Sequence, residues 1–273
     1  MRIAIQGETG SFHHQAAKHW FGNDVEILPG DTFTETFDLL SHGADQAIVA
    51  IENTLYGSIN ETLDLIEKHR YPIVGEIYLH IHQQLIGLPG ADPSKVTHIY
   101  SHPVALVQCE QYLDAHFPHA ERIEHHDTAG SVRLVAERND PHIAAIAGVT
   151  AAETYNLAVL TPNIEDNDAN LTRFLVINPH ASAPVVGANK TSLALTTSHT
   201  PGALAHALSV FAKSGSNLTK LQSRPVVGDP WNYKFSIDVE SAGDPLETQL
   251  AEIRQQGCTV TVLGQYTSGN TYE

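Results

Sequence analysis

Cysteine is almost missing from this chain. Cys109 and Cys258 are the only two, far apart and without CxxC spacing. That excludes a disulfide framework and points to a reducing, cytoplasmic compartment. Basic charge is also short: 15 lysines and arginines stand against 31 acidic residues, for a net charge of −16. Phosphate recognition needs clustered Lys and Arg, so nucleic acid and anionic membrane surfaces are disfavoured as partners. No apolar run approaches the ~18 residues of a membrane span. The stretch Met1–Gln6 enters a strand directly, without the long apolar core or small-residue cleavage site of a secretory signal. Asn60, Asn170, Asn189 and Asn217 each begin an N-x-Thr sequon, read here as inert chance matches in a cytosolic chain.

What is present is length and alternation. A chain of 273 residues can hold two domains with real cores. Up to Ile177, short apolar runs alternate with amphipathic ones. Strands are expected at 3–6, 25–28, 47–51, 73–82, 98–101, 122–124, 143–146 and 174–177. Helices are expected at 12–20, 32–41, 61–68, 103–116, 129–138 and 150–155. This order predicts an α/β domain with largely parallel sheets. The long apolar stretch 73–88 reads as a crossover strand. The small, Pro/Gly-punctuated segment 180–189 reads as a linker. Beyond it, a strand at 192–197, a helix at 202–213, strands at 218–223 and 233–240, a helix at 246–256 and a strand at 260–266 make βαββαβ, the ferredoxin-like order.

Four strand-to-helix junctions share one design: Gly7 to Ser11, Glu52 to Ser58, Ser101 to Pro103, and Asp127 to Ala129. In parallel α/β sheets, ligands sit beyond the carboxyl ends of strands, where helix N-termini offer free N–H groups and partial positive charge. Ser101, Asp127 and Thr128 are equally suited to plain helix capping. Gly7 and Gly10 would let backbone approach a ligand. Arg173 is a planar fork for a carboxylate or for an acidic neighbour, and Phe174 is a core residue or a ligand contact. Seventeen histidines invite a metal hypothesis. His80 and His82 would share a strand face, but no third ligand is recognisable, so no metal site is assigned.

The triplet Thr172-Arg173-Phe174 has telling company: Gly7-Glu-Thr-Gly-Ser-Phe12, Ile51-Glu-Asn-Thr54, Ser101-His-Pro103 with Gln108-Cys109, Pro201-Gly-Ala-Leu204, Asn217-Leu-Thr219 and Ser223-Arg-Pro225. In this order the set resembles prephenate dehydratase with a C-terminal ACT regulatory domain, from Met1 to about Tyr266. The resemblance implies an α/β fold with a bilobal, periplasmic-binding-protein-like catalytic domain at 1–180. One lobe would be about 1–76 plus 160–180 and the other about 77–159, with a cleft between two parallel-type sheets. An ACT domain of ferredoxin-like βαββαβ order would occupy 190–268. It implies a carbon–oxygen lyase of phenylalanine biosynthesis that turns prephenate into phenylpyruvate, water and carbon dioxide, with no metal, nucleotide or redox cofactor. Thr172 would donate a hydrogen bond to the departing hydroxyl, with Arg173, Glu52, Asn53, Ser101 and Gln108 as the other catalytic candidates. Ser11, Thr54, Asp127, Thr128 and Phe174 would contact substrate.

Some positions depart from the family pattern. Ser11 and His13 stand in its Gly-Thr-Phe-Ser, Thr54 replaces Ser, Ala50 replaces Pro, and Gln222 replaces Glu. The ACT domain of this family binds L-phenylalanine as a feedback inhibitor. By resemblance Gly202, Ala203, Leu204, Asn217, Leu218, Gln222, Ser223 and Arg224 would form that site in a homodimer, with pairing into tetramers left open. Two other readings stand beside this one: arogenate dehydratase, acting on the amino-acid analogue, and a non-catalytic amino-acid sensor.

Overall fold

The computed structural model describes residues 1–197, 200–226 and 229–273. They divide into two compact units: Met1–Leu63 with Ile77–Phe174 and Asn270–Glu273, and Asp64–Glu76 with Leu175–Gly269. The chain begins β1 (Arg2–Gln6), α1 (Phe12–Phe21), β2 (Glu26–Gly30), α2 (Phe33–Ser41), β3 (Gln46–Asn53), β4 (Gly57–Ser58), α3 (Asn60–His69) and β5 (Ile73–His80). It continues β6 (Gln84–Gly87), β7 (His98–Ser101), α4 (Pro103–Gln108), α5 (Glu110–His116), β8 (Glu121–Glu124), α6 (Thr128–Arg138), β9 (Ile143–Ala147), α7 (Val149–Tyr155), β10 (Ala158–Thr161) and β11 (Leu171–Ile177). Last come β12 (Lys190–Thr196), α8 (Ala203–Lys213), β13 (Leu218–Val226), β14 (Asp229–Val239), α9 (Gly243–Gln255), β15 (Thr259–Tyr266) and β16 (Thr271–Tyr272).

The first unit is built on two sheets. One has the order β16-β5-β11-β3-β1-β2, with β4 paired to β3. Its central strands are parallel, β1 lying between β2 and β3. Ala47 to Ile51 in β3 are all buried, as a strand covered on both faces requires. The other sheet has the order β10-β6-β9-β7-β8. There β7 runs parallel to β8 and β9, while β6 is antiparallel to both β9 and β10.

Two long elements expected from the sequence are broken, each for a local reason. The apolar run from Ile73 does not continue as one strand. At Ile81 the backbone N–H donates to Asn170 O (2.8 Å), and the Gln83 N–H donates to the Glu165 carboxylate (2.8 Å), so the chain leaves one sheet and re-enters the other as β6. The helix expected at 103–116 breaks at Cys109, because Asp166 reaches in and caps the second half. Its carboxylate accepts from the N–H groups of Gln111 (2.9 Å) and Tyr112 (3.1 Å).

The second unit carries an antiparallel sheet of order β13-β14-β12-β15 with α8 and α9 packed against it, the expected βαββαβ arrangement. Its core joins Leu193, Leu195, Phe235 and Ile237 from the sheet to Phe211, Leu246, Leu250 and Ile253 from the helices. Three ion pairs explain why Asp64–Glu76 belongs to this unit. Asp64 is gripped bidentately by Arg224 (2.6 and 2.7 Å), Glu67 pairs with Lys234, and Glu76 pairs with Lys190 (2.8 Å), both partners of the last being buried. Among the described residues, no helix is long and apolar enough to cross a membrane.

Candidate active site

A cavity of about 610 Å³ lies in the first unit, lined by strand residues of the sheet that holds β1, β3 and β11 and by loop and helix residues that flank the strands of the other. The volume suits a small organic ligand. First-turn residues of four helices line it: Phe12 and His13 of α1, Asn60 and Glu61 of α3, Val104 and Ala105 of α4, and Thr128 of α6. Three of these starts are side-chain capped. Ser11 accepts from the His14 N–H (3.4 Å), His102 Nδ1 accepts from the Val104 N–H (3.2 Å), and Asp127 accepts from the Gly130 N–H (2.7 Å). Among the described residues no lysine or arginine lines the cavity. Helix ends therefore supply the positive potential that an anion would meet there.

Gly7 and Gly10 are not among the residues lining the cavity. Both have positive φ (83° and 100°), and a Cβ would stand 2.9 Å from Asp127 Oδ2 at the first and 3.0 Å from Ala151 Cα at the second. They are there because the loop after β1 packs tightly against α6 and α7.

Thr172 lines the cavity and is buried. Strand alternation decides its company: Phe174 shares its face and lines the same cavity, while Arg173 points the other way. Arg173 is 2% exposed and its Nη1 donates to Glu52 Oε1 (3.0 Å), with its guanidinium 5.8 Å from the centre of the Tyr78 ring. Arg173 and Glu52 line a separate depression of about 230 Å³ together with Thr54 and Tyr78. Thr54 Oγ1 donates to Ala169 O (2.6 Å) and accepts from the Leu171 N–H (2.9 Å), locking the turn after β3 to the entry of β11. Ser101 is fully buried and donates to Ile146 O (2.6 Å), joining β7 to β9. The cavity thus gathers Thr172, Asn53, Gln108, Ser11, Asp127, Thr128 and Phe174. It does not include Arg173, Glu52, Thr54 or Ser101 among its lining.

The amide of Asn53 has one possible orientation. Its Oδ1 accepts from the N–H groups of Leu55 (2.9 Å) and Tyr56 (2.8 Å), so its Nδ2 must face Asn170 Oδ1 (2.6 Å) and Thr172 Oγ1 (2.9 Å). Thr172 Oγ1 therefore accepts a hydrogen bond from Asn53. Its own hydroxyl proton meets no acceptor among the described residues and is left for the cavity.

Composition and motif did not single out three further wall residues. His13 is buried, its Nε2 accepts from the Ala50 N–H (3.1 Å), and its ring meets those of Phe174 and Phe33 edge-on at 5.0 and 5.8 Å. Burial pushes the imidazole down to about 3, so it is neutral at physiological pH. Burial also lowers His102 below the ordinary histidine value. Gln83 is buried, donates to Gln108 Oε1 (3.1 Å), and keeps a buried Oε1 without a partner among the described residues. His13 stands at a departure from the family pattern and His102 inside the Ser101-His-Pro103 motif, but neither is assigned a role from the sequence, and Gln83 leaves no signal there.

In the second unit Gly202 adopts a left-handed φ of 84° and opens α8, with Ala203 and Leu204 following. Asn217 O accepts from the Glu240 N–H (2.9 Å) just before β13. Along β13, Leu218, Gln222 and Arg224 lie on the more buried face and Ser223 on the exposed one, and Arg224 is engaged by Asp64. Among the described residues no cluster of His, Cys, Asp and Glu is arranged to hold a metal ion.

An α/β cleft lined by helix N-termini and a strand hydroxyl, followed by a βαββαβ domain, defines a class: a two-part α/β protein with a ligand-sized cavity and an appended ferredoxin-like fold. A family model for prephenate dehydratase matches residues 3–182. The bifunctional chorismate mutase/prephenate dehydratase of Neisseria gonorrhoeae is 36% identical over 269 residues, covering 97% of this chain and 74% of the relative. Arogenate dehydratase 4 of Arabidopsis thaliana, a chloroplastic protein, is 36% identical over 289 residues, covering 97% and 67%. Among solved structures, a prephenate dehydratase from Arthrobacter aurescens in complex with L-Phe is 30% identical with a TM-score of 0.86, covering 98% of this chain and 90% of that one. GqqA, described as a novel type of quorum quenching acylase, is 30% identical with a TM-score of 0.89 and 98% coverage of each chain. The chain belongs to the prephenate dehydratase family of carbon–oxygen lyases.

Proposed function

We propose that the protein converts prephenate to phenylpyruvate, water and carbon dioxide in phenylalanine biosynthesis. Residues 1–180 would be the catalytic domain, and 190–268 an ACT domain through which L-phenylalanine inhibits. The observation that carries the reading is the Thr172 hydroxyl: Asn53 occupies one of its lone pairs, so its proton is offered to the cavity. In the reaction the C4–O bond of the ring breaks and the ring carboxylate leaves as carbon dioxide. The electrons of that carbon–carbon bond complete the aromatic ring. The departing hydroxide needs a proton to become water. A threonine hydroxyl is too weak an acid to supply it outright, so Thr172 stabilises the developing hydroxide by hydrogen bonding and passes on a proton drawn from water.

The two substrate carboxylates fit the helix N-termini, each worth about 0.3–1 kcal/mol to an anion. Ser11, Thr128 and Gln108 offer side-chain hydrogen bonds, and Phe174 an apolar surface for the ring. Glu52 with Arg173, and Thr54, act behind the wall, holding β3 against β11 so that Asn53 and Thr172 stay in register. Ser101 does the same for the second sheet.

One observation favours arogenate as substrate instead. Glu61 and Asp127 line the cavity, and carboxylates suit the ammonium that arogenate has and prephenate lacks. Relatives of both kinds are 36% identical to this chain. Incubating purified protein with each compound decides between them: phenylpyruvate absorbance reports the first, phenylalanine formation the second. Consumption of neither would defeat both and leave an amino-acid sensor. L-Phenylalanine binding by the Arthrobacter aurescens relative supports the regulatory half. Gly202 to Leu204, Asn217, Leu218, Gln222, Ser223 and Arg224 are the proposed site, in a homodimer. Coupling of ~1–3 kcal/mol would change the affinity for substrate by about 5- to 150-fold.

A further inference from the structure

We propose that His13 is a substrate-binding residue of this cavity, donating a hydrogen bond from its Nδ1–H to an oxygen of the bound ring acid; the proposal rests on the dehydratase reading above. The tautomer follows from one contact. The Ala50 N–H can only donate, so His13 Nε2 must be the unprotonated, accepting nitrogen and the single ring proton must sit on Nδ1. No hydrogen bond engages Nδ1 among the described residues.

The ring lines the cavity and is 8% exposed, held edge-on between Phe33 and Phe174, which line the same cavity. Phe174 is two residues along the strand from Thr172, on the same face. The wall that presents the Thr172 proton therefore carries a second fixed donor of a different kind. It is neutral and pre-oriented, so it costs little reorganisation to use and does not over-bind the carboxylate that must leave. The substrate brings carboxylate, ketone and hydroxyl oxygens, all of them able to accept.

Two substitutions separate this role from a structural one. His13→Gln keeps an acceptor where Nε2 meets Ala50 but removes the donor at the Nδ1 place. His13→Asn keeps a donor at the Nδ1 place but loses the bond to Ala50. The expected result is a Gln variant that melts near the wild type with kcat/KM lowered about 10- to 100-fold. The Asn variant is expected to be less stable yet to retain more of the activity. A rise in KM alone would place the bond on a substrate carboxylate or ketone, and a fall in kcat alone would place it on the departing hydroxyl. Independently, imidazole nitrogen–proton correlation spectra of the wild type, assigned by the signals lost in His13→Gln, should show the proton on Nδ1. A Gln variant with kcat/KM within threefold of wild type would overturn the proposal, as would a proton found on Nε2. If the wild-type protein turns over neither ring acid, the dehydratase reading itself falls, and this is seen before any variant is made.

Discussion

Replacing Asn53 by aspartate is an almost isosteric change that should separate catalysis from stability. One oxygen of the new carboxylate still accepts from the Leu55 and Tyr56 N–H groups, so the turn after β3 keeps both bonds. The other oxygen now faces Thr172 Oγ1 and Asn170 Oδ1 at the positions where Asn53 donated at 2.9 and 2.6 Å. Both neighbours can adapt. The Asn170 Nδ2 is buried and without a partner among the described residues, so an amide flip turns it towards the carboxylate. Thr172 can rotate its hydroxyl proton to the same oxygen. Each adjustment replaces a lost hydrogen bond by a charge-assisted one, so the net stability change should be within about 1 kcal/mol. The catalytic cost is large, because the Thr172 proton then points at the introduced carboxylate and away from the cavity. Loss of one pre-organised donor to a developing anion typically lowers kcat by about 10²- to 10³-fold, or ~2.7–4 kcal/mol. KM should change little, since the bond strengthens only as hydroxide departs. The assay is steady-state turnover of the accepted ring acid beside a thermal melt. A kcat within threefold of wild type would refute the inference that Asn53 directs the Thr172 proton. So would a melting loss large enough to explain the lost activity.

Three other outcomes follow from the same geometry. Because the His13 imidazole is lowered from 6.5 to about 3 in the folded protein, the unfolded chain binds the extra proton first as pH falls. Stability is full above the unfolded value and is lost towards the folded one, by about 3 kcal/mol between pH 7 and pH 4. Denaturant melts of wild type and His13→Gln across that range should differ in slope by about one proton, and parallel slopes would contradict a neutral buried ring. Glu52→Gln removes the charged partner of Arg173 outside the cavity; with Glu52 partly exposed, we expect a loss of about 1–3 kcal/mol, or several degrees in Tm. Its pH–rate profile should be unchanged, whereas a flattened acid limb would return Glu52 to proton transfer. L-Phenylalanine should inhibit wild type, and Gln222→Glu should tighten its binding in calorimetry by adding a partner for the ammonium. Equal affinity would place Gln222 outside that site.

The fold was largely legible because buried strands and amphipathic helices leave different periods. Ala47 to Ile51 and His98 to Ser101 fall where the apolar runs put them. The failures lie where distant groups intervene. Nothing local in 103–116 foretells that Asp166 will cap a second helix, and nothing in 73–88 foretells that Asn170 and Glu165 will take its N–H groups. β10 and β16 are short strands whose pairing depends on β6 and β5. In the site, strand alternation separates what motif adjacency joins. Thr172, Arg173 and Phe174 are contiguous in sequence, but a period of two sends Arg173 to the face opposite its neighbours. His13 stands out in the sequence only as a departure from the family pattern, because a histidine shows its chemistry only through the backbone N–H that fixes its tautomer.

The most direct measurement is release of product from the ring acid by purified wild type and by Thr172→Val, a substitution that keeps the branched shape and removes the hydroxyl. Loss of kcat by at least about 10²-fold in a variant that melts like wild type is the expected result. Undiminished turnover by folded Thr172→Val would contradict it, because the cavity would then expel hydroxide without the one side-chain proton that Asn53 leaves free to assist.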